Sequence, residues 1–186
     1  MGNLAPLQII DNLQHLGNLF PECHELRSEI RREGDKLVAI PVYEGRRMPM
    51  YFTFQAKDKN VRLRKTVYLH FLPKDIDVKQ INSYCSSRLY FYRWMFGMNG
   101  LSTRFMQGWG MKVKEDRLGN CVLVFTAFCE PGTWEQFADD WHKFYNESSD
   151  FSTTLMIELH SHICSVLIDR TDGSVPLNLG PNRIQA

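Results

Sequence analysis

Residues 36–56 read KLVAIPVYEGRRMPMYFTFQA, and this stretch decides the fold class because two apolar segments flank a short polar turn. The segment from Lys36 to Tyr43 is rich in Val and Ile, and the segment from Met48 to Ala56 alternates in polarity. Between them, Glu44 to Arg47 contains a glycine, which favours a tight turn. We therefore predict a β-hairpin and, with it, an antiparallel sheet.

Further strands follow on both sides of a central helix. Lys65 to Leu72 is a third apolar run, and Pro73 ends it. Two later segments, Gly110 to Glu115 and Asn120 to Cys129, are joined by a polar turn. The sequence predicts one antiparallel sheet of about five strands.

Helices are predicted where apolar residues recur every three or four positions. Asp77 to Gln80 and Thr133 to Gln136 have the form of capping boxes, which open helices. Ser148 to Asp150 is expected to interrupt the last helical region. The predicted helices lie near residues 7 to 19, 77 to 96, 133 to 147 and 152 to 168.

The last of these segments also fits another structure. Leu155, Ile157 and Leu159 alternate with other residues at period two, as they would in a strand. A strand from Thr154 to Ile168 is therefore the alternative to the final helix.

This order of elements, α-βββ-α-ββ-α-α, predicts an α+β fold. Consecutive antiparallel strands with segregated helices form a two-layer sandwich, in which the helices lie on one side of the sheet. We expect residues 1–168 to form a single domain. Residues 169–186, rich in Gly, Pro and Asn, are expected to form a flexible tail.

Composition narrows the class of protein. The 186 residues are 44% hydrophobic, which is typical of a globular chain. The 22 basic and 21 acidic residues nearly balance, which argues against a dedicated nucleic-acid binder. Five scattered cysteines without a Cys-x-x-Cys pair indicate reduced thiols, and neither a long apolar run nor a signal peptide is present. We expect a cytoplasmic protein that does not associate with membranes.

The segment Glu158-Leu159-His160-Ser161-His162 raises the hypothesis of a metal-dependent hydrolase with a His-x-His site. It resembles the histidine pair of the JAMM zinc peptidases, but Arg170, Gly173 and Ile163 occupy positions where that motif has Ser, Asp and Pro. On a helix, residues two apart also point in different directions. We expect no metal, no cofactor and no catalytic residue, and the hydrolase stays an alternative.

The middle helix contains RLYFYRWMF at residues 88–96, in which arginines alternate with aromatic residues. Such a helix could hold nucleic acid, since bases stack on aromatic rings and arginines bind phosphates. Because the helix is apolar on every side, the sequence favours a buried helix or a dimer interface instead. A nucleic-acid-associated protein using this helix is the second alternative.

The same helix has more apolar surface than one face can bury. One face, sufficient to cover the sheet, carries Ile81, Cys85, Leu89, Tyr92 and Phe96. The residues left to contact a partner are Tyr84, Phe91, Trp94 and Met95. We predict a homodimer through them. In the alternative, a monomer, the final helix folds back over these aromatics through Leu155, Leu159 and Ile163.

The order of elements resembles that of type III secretion chaperones and YbjN-type proteins. The resemblance rests on the middle helix with Asn82 and Arg93, the paired strands from Gly110 to Phe128, and the helix from Trp134 to Tyr145. It implies that the first helix and a hydrophobic sheet bind an extended segment of another protein, and that the middle helix mediates dimers. The expected function is that of a non-enzymatic, chaperone-like protein-binding module.

Overall fold

The computed structural model describes residues 4–16, 18–20, 25–73, 76–98, 109–130 and 132–170, with side chains except at 95–98 and 166–170. Within these residues the helices are α1 (Pro6–His15), α2 (Val78–Met98) and α3 (Trp134–Arg170). The strands are β1 (Leu26–Glu33), β2 (Lys36–Tyr43), β3 (Arg46–Arg47), β4 (Met50–Lys57), β5 (Asn60–Tyr68), β6 (Gly110–Glu115) and β7 (Cys121–Cys129).

The strands in the described part of the chain form one seven-stranded sheet. Its order is β1-β2-β4-β5-β7-β6, every neighbouring pair is antiparallel, and β3 adds a two-residue extension to β2. The predicted α+β sandwich with helices on one side is confirmed. The hairpin over residues 36–56 is confirmed too, and its turn uses positive φ angles at Glu44 and Gly45.

The pairing register gives the sheet two chemically different faces, because side chains alternate across a strand. The core face, which packs against the helices, carries across its centre the row Ala39, Phe52, Lys65 and Phe125. The opposite face, called the open face below, carries the adjacent row Val38, Thr53, Arg64 and Thr126.

All three helices contribute apolar side chains to one core with the core face. The buried helix residues include Ile9, Ile10 and Leu13 of α1, Ile81, Cys85 and Leu89 of α2, and Phe137, Trp141, Phe144, Leu155 and Leu159 of α3. The apolar face of the sheet is therefore covered by helices of the same chain.

β1, which reads LRSEIRRE, was not predicted from the sequence. Its polar composition suits an edge strand, and it shows no apolar alternation. On its helix side, Arg32 forms an ion pair with Asp11 of α1, and the Ser28 hydroxyl accepts the Leu19 N–H at 3.1 Å. Polar contacts thus replace the apolar pattern by which strands are recognised.

The third predicted strand, Lys65 to Leu72, was placed too late in the chain. β5 spans Asn60–Tyr68 and follows a turn in which Asp58 has a φ of 53°. Val61 and Leu63 already face the core, so the basic residues Arg62 and Arg64 belong to the strand. Together with β1 and β3, this gives a seven-stranded sheet where about five strands were expected.

The two helices predicted at 133–147 and 152–168 form the single helix α3, and the strand proposed for Thr154 to Ile168 is wrong. Ser148 to Asp150 do not interrupt the helix, because hydroxyl groups here donate to carbonyls of the preceding turn. The Ser148 Oγ lies 3.3 Å from the Tyr145 carbonyl, and the Thr153 Oγ1 lies 2.9 Å from the Ser149 carbonyl.

The ends of the fold differ from prediction in detail. α1 ends at His15, and the Asn18 side chain organises the loop beyond it through contacts with Phe20, Leu26 and Ser28. α3 includes 169 and 170, whereas 171–186 of the predicted tail lie outside the described residues. A single domain over 1–168 stays a prediction.

Candidate functional site

α2 lies beside the edge strand β6 and presents one face to the core. The Asn82 Oδ1 accepts the backbone N–H of Val113 at 2.7 Å, so the helix satisfies part of the strand edge. Ile81, Cys85 and Leu89 are buried on the inner face. These contacts determine the rotation of α2 and therefore which residues point outward.

The outward face of α2 ends in a group of exposed aromatic side chains. Tyr90, Phe91 and Trp94 are 77%, 42% and 57% exposed, and the rings of Phe91 and Trp94 lie 6.2 Å apart. We call these three residues the α2 patch. On the same face, one to two turns earlier, lie exposed serines, namely Ser83, Ser86 and Ser87.

The predicted partner-binding residues do not all lie in this patch. Phe91 and Trp94 do, whereas the Tyr84 ring stacks on His162 of α3, with centroids 4.3 Å apart and an interplanar angle of 9°. The side chain of Met95 lies outside the described residues. Tyr90 was missed, although helical periodicity places it on one face with Trp94.

α3 covers part of α2, as the alternative for a monomer required. Leu155, Leu159 and Ile163 are buried in the core, and Tyr92 packs edge-on against Phe151. The α2 patch nevertheless stays exposed. The final helix therefore hides the inner aromatics of α2 and leaves the outer ones accessible.

A partly buried ion pair joins α2 to α3. The Arg88 guanidinium donates to both carboxylate oxygens of Glu158, at 2.7 and 2.6 Å, and the Tyr92 hydroxyl donates to Oε1 at 2.9 Å. The Arg88 hydrogen bond is the main reason that the pKa of Glu158 is lowered.

The second arginine of α2 is also engaged within the chain. Arg93 donates to the Trp109 carbonyl, and its guanidinium lies 5.2 Å from the centre of the Trp109 ring. Because both Arg88 and Arg93 are held inside the chain, the helix offers them poorly to phosphates. This geometry weakens the hypothesis of an arginine and aromatic helix that binds nucleic acid.

Glu158→Gln is expected to lower the free energy of unfolding by about 1 to 2 kcal/mol near neutral pH, because it removes the charge from a bidentate, partly buried pair. The effect should disappear in acid: the folded-state pKa of Glu158 is lowered, so its contribution is present above the unfolded pKa and is lost as pH falls. Urea unfolding from neutral pH down to about pH 3 measures this.

A double-mutant cycle with Arg88→Gln supplies the control. If the pair couples as the geometry indicates, the double variant is less destabilised than the sum of the two single variants. Additive losses would show that the two side chains act independently.

The two histidines of the His-x-His segment contact different partners. The His160 ring lies 5.9 Å from the Phe71 ring, whereas His162 stacks on Tyr84 of α2. Among the described residues, no group of three or more His, Cys, Asp or Glu side chains is arranged to hold a metal ion. The pair is therefore accounted for by packing contacts.

Three of the cysteines lie in environments that keep a thiol protonated. Burial raises the pKa of Cys85 and Cys129 to about 12 and that of Cys121 to about 11. Such thiols are poor nucleophiles at neutral pH, and these residues contribute to packing instead.

Lys65 is the most unusual polar residue in the core. Only 1% of it is exposed, and its Nζ lies 3.1 Å from both Ser149 Oγ and Ser152 Oγ of α3. The ammonium group also lies 5.8 and 5.9 Å from the ring centres of Phe52 and Phe125. Burial lowers the pKa of Lys65 to about 7, and the charge of Asp150 opposes this shift.

The sequence contained a signal for this lysine that was not recognised. Val61, Leu63, Lys65 and Val67 occupy every second position of β5, so Lys65 stands in the apolar phase of the strand. The predicted strand began only at Lys65, so the apolar positions before it were not counted. The burial of Lys65 makes it a structural group without access to a substrate.

In the part of the chain that the structure describes, none of the helices combines the length and hydrophobicity required to cross a lipid bilayer.

Comparisons with known proteins give a weak structural likeness. No family model and no curated protein matches the sequence. The chain is similar to the crystal structure of YbjN from E. coli, a candidate transcription regulator, with 14% identity and a TM-score of 0.43 over 83% of this chain and 88% of that chain. A likeness at this level carries no function to this chain, and the link to type III secretion chaperones stays a prediction.

Proposed function

We propose that the protein is a non-enzymatic binding module that associates with a second copy of itself through the outward face of α2. The observation that carries the proposal is the α2 patch: three large aromatic side chains are exposed together on one helix. Exposed apolar clusters of this kind mark interaction surfaces, and Trp and Tyr are frequent anchors of protein interfaces.

The other large side chains of α2 are engaged within the chain, which leaves only its outer face for a partner. Tyr84, Arg88 and Tyr92 are engaged with α3, and Arg93 is engaged with Trp109. The apolar face of the sheet, which the resemblance to chaperones suggested as a binding surface, is covered by the helices of the same chain. The α2 patch is therefore the better candidate for protein binding.

The pattern along the helix favours a second copy as the partner. Ser83, Ser86 and Ser87 lie on the same face as the patch but toward the amino end of α2. If two α2 helices cross antiparallel about a twofold axis, the aromatic half of each helix lies on the serine half of the other. The Ser87 hydroxyl already donates to the Tyr84 carbonyl at 2.8 Å, which makes this half easier to desolvate.

Light scattering coupled to size exclusion at micromolar concentration is expected to give twice the chain mass of 21.8 kDa for the wild type. The double variant Phe91→Glu, Trp94→Glu is expected to give 21.8 kDa, because it replaces two anchoring rings with carboxylates that the interface would have to desolvate against the partner's serine half. Unchanged circular dichroism would show that the variant folds.

Two further variants test the arrangement. Ser87→Trp adds apolar surface yet should also produce a monomer, because the indole would occupy the space of the partner's aromatics. Phe128→Glu, which alters an exposed phenylalanine of the sheet, should stay dimeric. A wild-type mass of 21.8 kDa would overturn the proposal, and so would a dimer that survives the Phe91, Trp94 substitutions.

A further inference from the structure

The open face of the sheet concentrates positive charge in a chain whose net charge is only +1. Its basic side chains include Arg27 and Arg31 of β1, Arg62 and Arg64 of β5, and Lys112 and Lys114 of β6. The acidic residues Glu29 and Glu33 of β1 are each paired, with Arg47 at 2.6 Å and Lys36 at 2.8 Å. The acidic residues of β1 therefore do not neutralise the cations of β5 and β6, of which Arg62 donates to Gln55 and Lys114 lies near Asp116.

Arg64 occupies the centre of this charge. It lines a shallow groove together with Lys112, Lys114 and Thr126, and among the described residues its buried Nε has no hydrogen-bond partner. Burial and the neighbouring charge of Arg62 lower the pKa of Arg64. An anion in the groove would pair with the Arg64 guanidinium and relieve the repulsion between the two guanidinium groups.

Aromatic rings lie among these cations. Tyr51 and Tyr68 are neighbours on the open face, with ring centroids 6.2 Å apart, and Tyr68 stacks on His70 at 5.2 Å with an angle of 2°. Phe128 is 55% exposed and lies directly beside Arg62 in the strand register. The face thus combines stacking surfaces with groups that bind phosphate.

We propose that the open face of the sheet binds single-stranded nucleic acid. Arg62, Arg64 and Lys112 contact phosphates, and the rings of Tyr51, Tyr68 and Phe128 stack on bases. Bases stack on aromatic side chains irrespective of sequence, and a cationic surface that follows the backbone supplies most of the affinity. The exposed face of an antiparallel sheet lets several unstacked bases lie on it side by side.

This ligand fits the face better than two other anionic partners. An acidic peptide that adds a strand beside Lys112 and Lys114 requires a free β6 edge, where Asn82 of α2 already accepts the Val113 N–H. A membrane surface requires a cluster of protruding apolar side chains, whereas the exposed Phe128 is accompanied on this face by half-buried rings of Tyr51 and Tyr68. Aromatic rings that stack on bases, next to guanidinium groups that bind phosphates, suit unpaired nucleotides.

Fluorescence anisotropy with fluorescein-labelled oligothymidine of about 15 nucleotides tests the proposal. The wild type should bind, with affinity falling between about 50 and 200 mM salt. The variant Arg64→Gln, Lys112→Gln should lose about tenfold or more in affinity, and its log–log salt slope should decrease by about 1.4, since two phosphate contacts are removed.

Variants elsewhere separate this site from general charge. Lys79→Gln, Lys143→Gln removes the same charge from exposed positions on α2 and α3 and should leave affinity within about twofold of the wild type. Tyr51→Leu, Tyr68→Leu should weaken binding by about tenfold with an unchanged salt slope, because it removes stacking alone. If Arg64→Gln disturbs folding, the double variant Lys112→Gln, Lys114→Gln repeats the charge test, since both lysines are at exposed positions.

Several outcomes would overturn the proposal. The first is no binding of the oligonucleotide at about 50 mM salt. The second is an equal loss of affinity in the helix and sheet variants. The third is an affinity that is unchanged by the tyrosine substitutions and equal to the affinity for polyglutamate. Sedimentation with phosphatidylserine vesicles tests whether the face binds membranes. Binding to vesicles through the same residues, without binding to the oligonucleotide, would assign the face to membranes instead.

Discussion

Lys65→Met is expected to raise the free energy of unfolding by about 1 to 4 kcal/mol at pH 7, because it replaces a buried ammonium group with an apolar side chain of similar length. Lys65 is 1% exposed and lies between the rings of Phe52 and Phe125, where a thioether packs well. The hydroxyls of Ser149 and Ser152 lose one contact, but Ser152 also donates to the Ser149 carbonyl at 3.1 Å.

The pH dependence of this gain identifies its cause. Burial lowers the pKa of Lys65 to about 7, so between this value and the unfolded value near 10.5 the unfolded chain binds more protons than the folded one. The free energy of unfolding of the wild type therefore rises with pH across this window because of Lys65. The advantage of the Met variant should be largest at pH 7 or below and nearly absent at about pH 10.

Urea unfolding of both proteins at several pH values measures the difference, in which the titration of other groups cancels. Lys143→Met, on the exposed side of α3, is the matched control and should change stability by less than about 0.5 kcal/mol at every pH. A Lys65→Met variant that is less stable than the wild type at pH 7 would show that the serine contacts and aromatic rings more than offset the cost of burial.

Trp141→Ala is expected to lower the free energy of unfolding by about 3 to 5 kcal/mol, which is a large part of the stability of a typical domain. Trp141 is 4% exposed and joins α3 to the sheet, with ring centroids 5.2 Å from Phe52 and 4.8 Å from Phe54. Its removal leaves a cavity where the first loop, the sheet and α3 meet, since Phe20 packs against the same ring.

Trp141→Phe separates packing from hydrogen bonding. The Trp141 Nε1–H donates to the Leu19 carbonyl at 3.2 Å, and a phenylalanine keeps most of the ring while it leaves this carbonyl unpaired. The expected loss is about 1 to 2 kcal/mol. Far-ultraviolet circular dichroism in urea measures both variants, and equal losses for Ala and Phe would contradict the cavity as the main cause.

The predictions from sequence succeeded where structure depends on neighbouring residues. The hairpin over residues 36–56 was predicted with the bounds of β2, because alternation and a glycine turn are both local features. The strand β6 and the helix α2 were found for the same reason. Errors occurred where a local pattern was ambiguous, as at Ser148 to Asp150, where hydroxyl groups either break a helix or bond to its preceding turn.

The candidate site was only partly predictable. Phe91 and Trp94, which were predicted to contact a partner, are exposed because helical periodicity separates them from Ile81, Cys85 and Leu89, and their contact with a partner stays a prediction. Tyr84 has the same character in sequence but is stacked on His162. Which side of a helix another helix will cover depends on packing between segments that are distant in the chain.

The sequence by itself determined the class of fold, since the change between a period of two and a period near four along the chain specifies strands and helices locally. Only the tertiary structure decided the chemistry of the surfaces. The register of β4, β5 and β7 directs Arg62 and Arg64 to the open face and Lys65 into the core. The partners of Lys65 lie 84 and 87 residues away, and such contacts exist only after long-range pairing has brought the strands and α3 together.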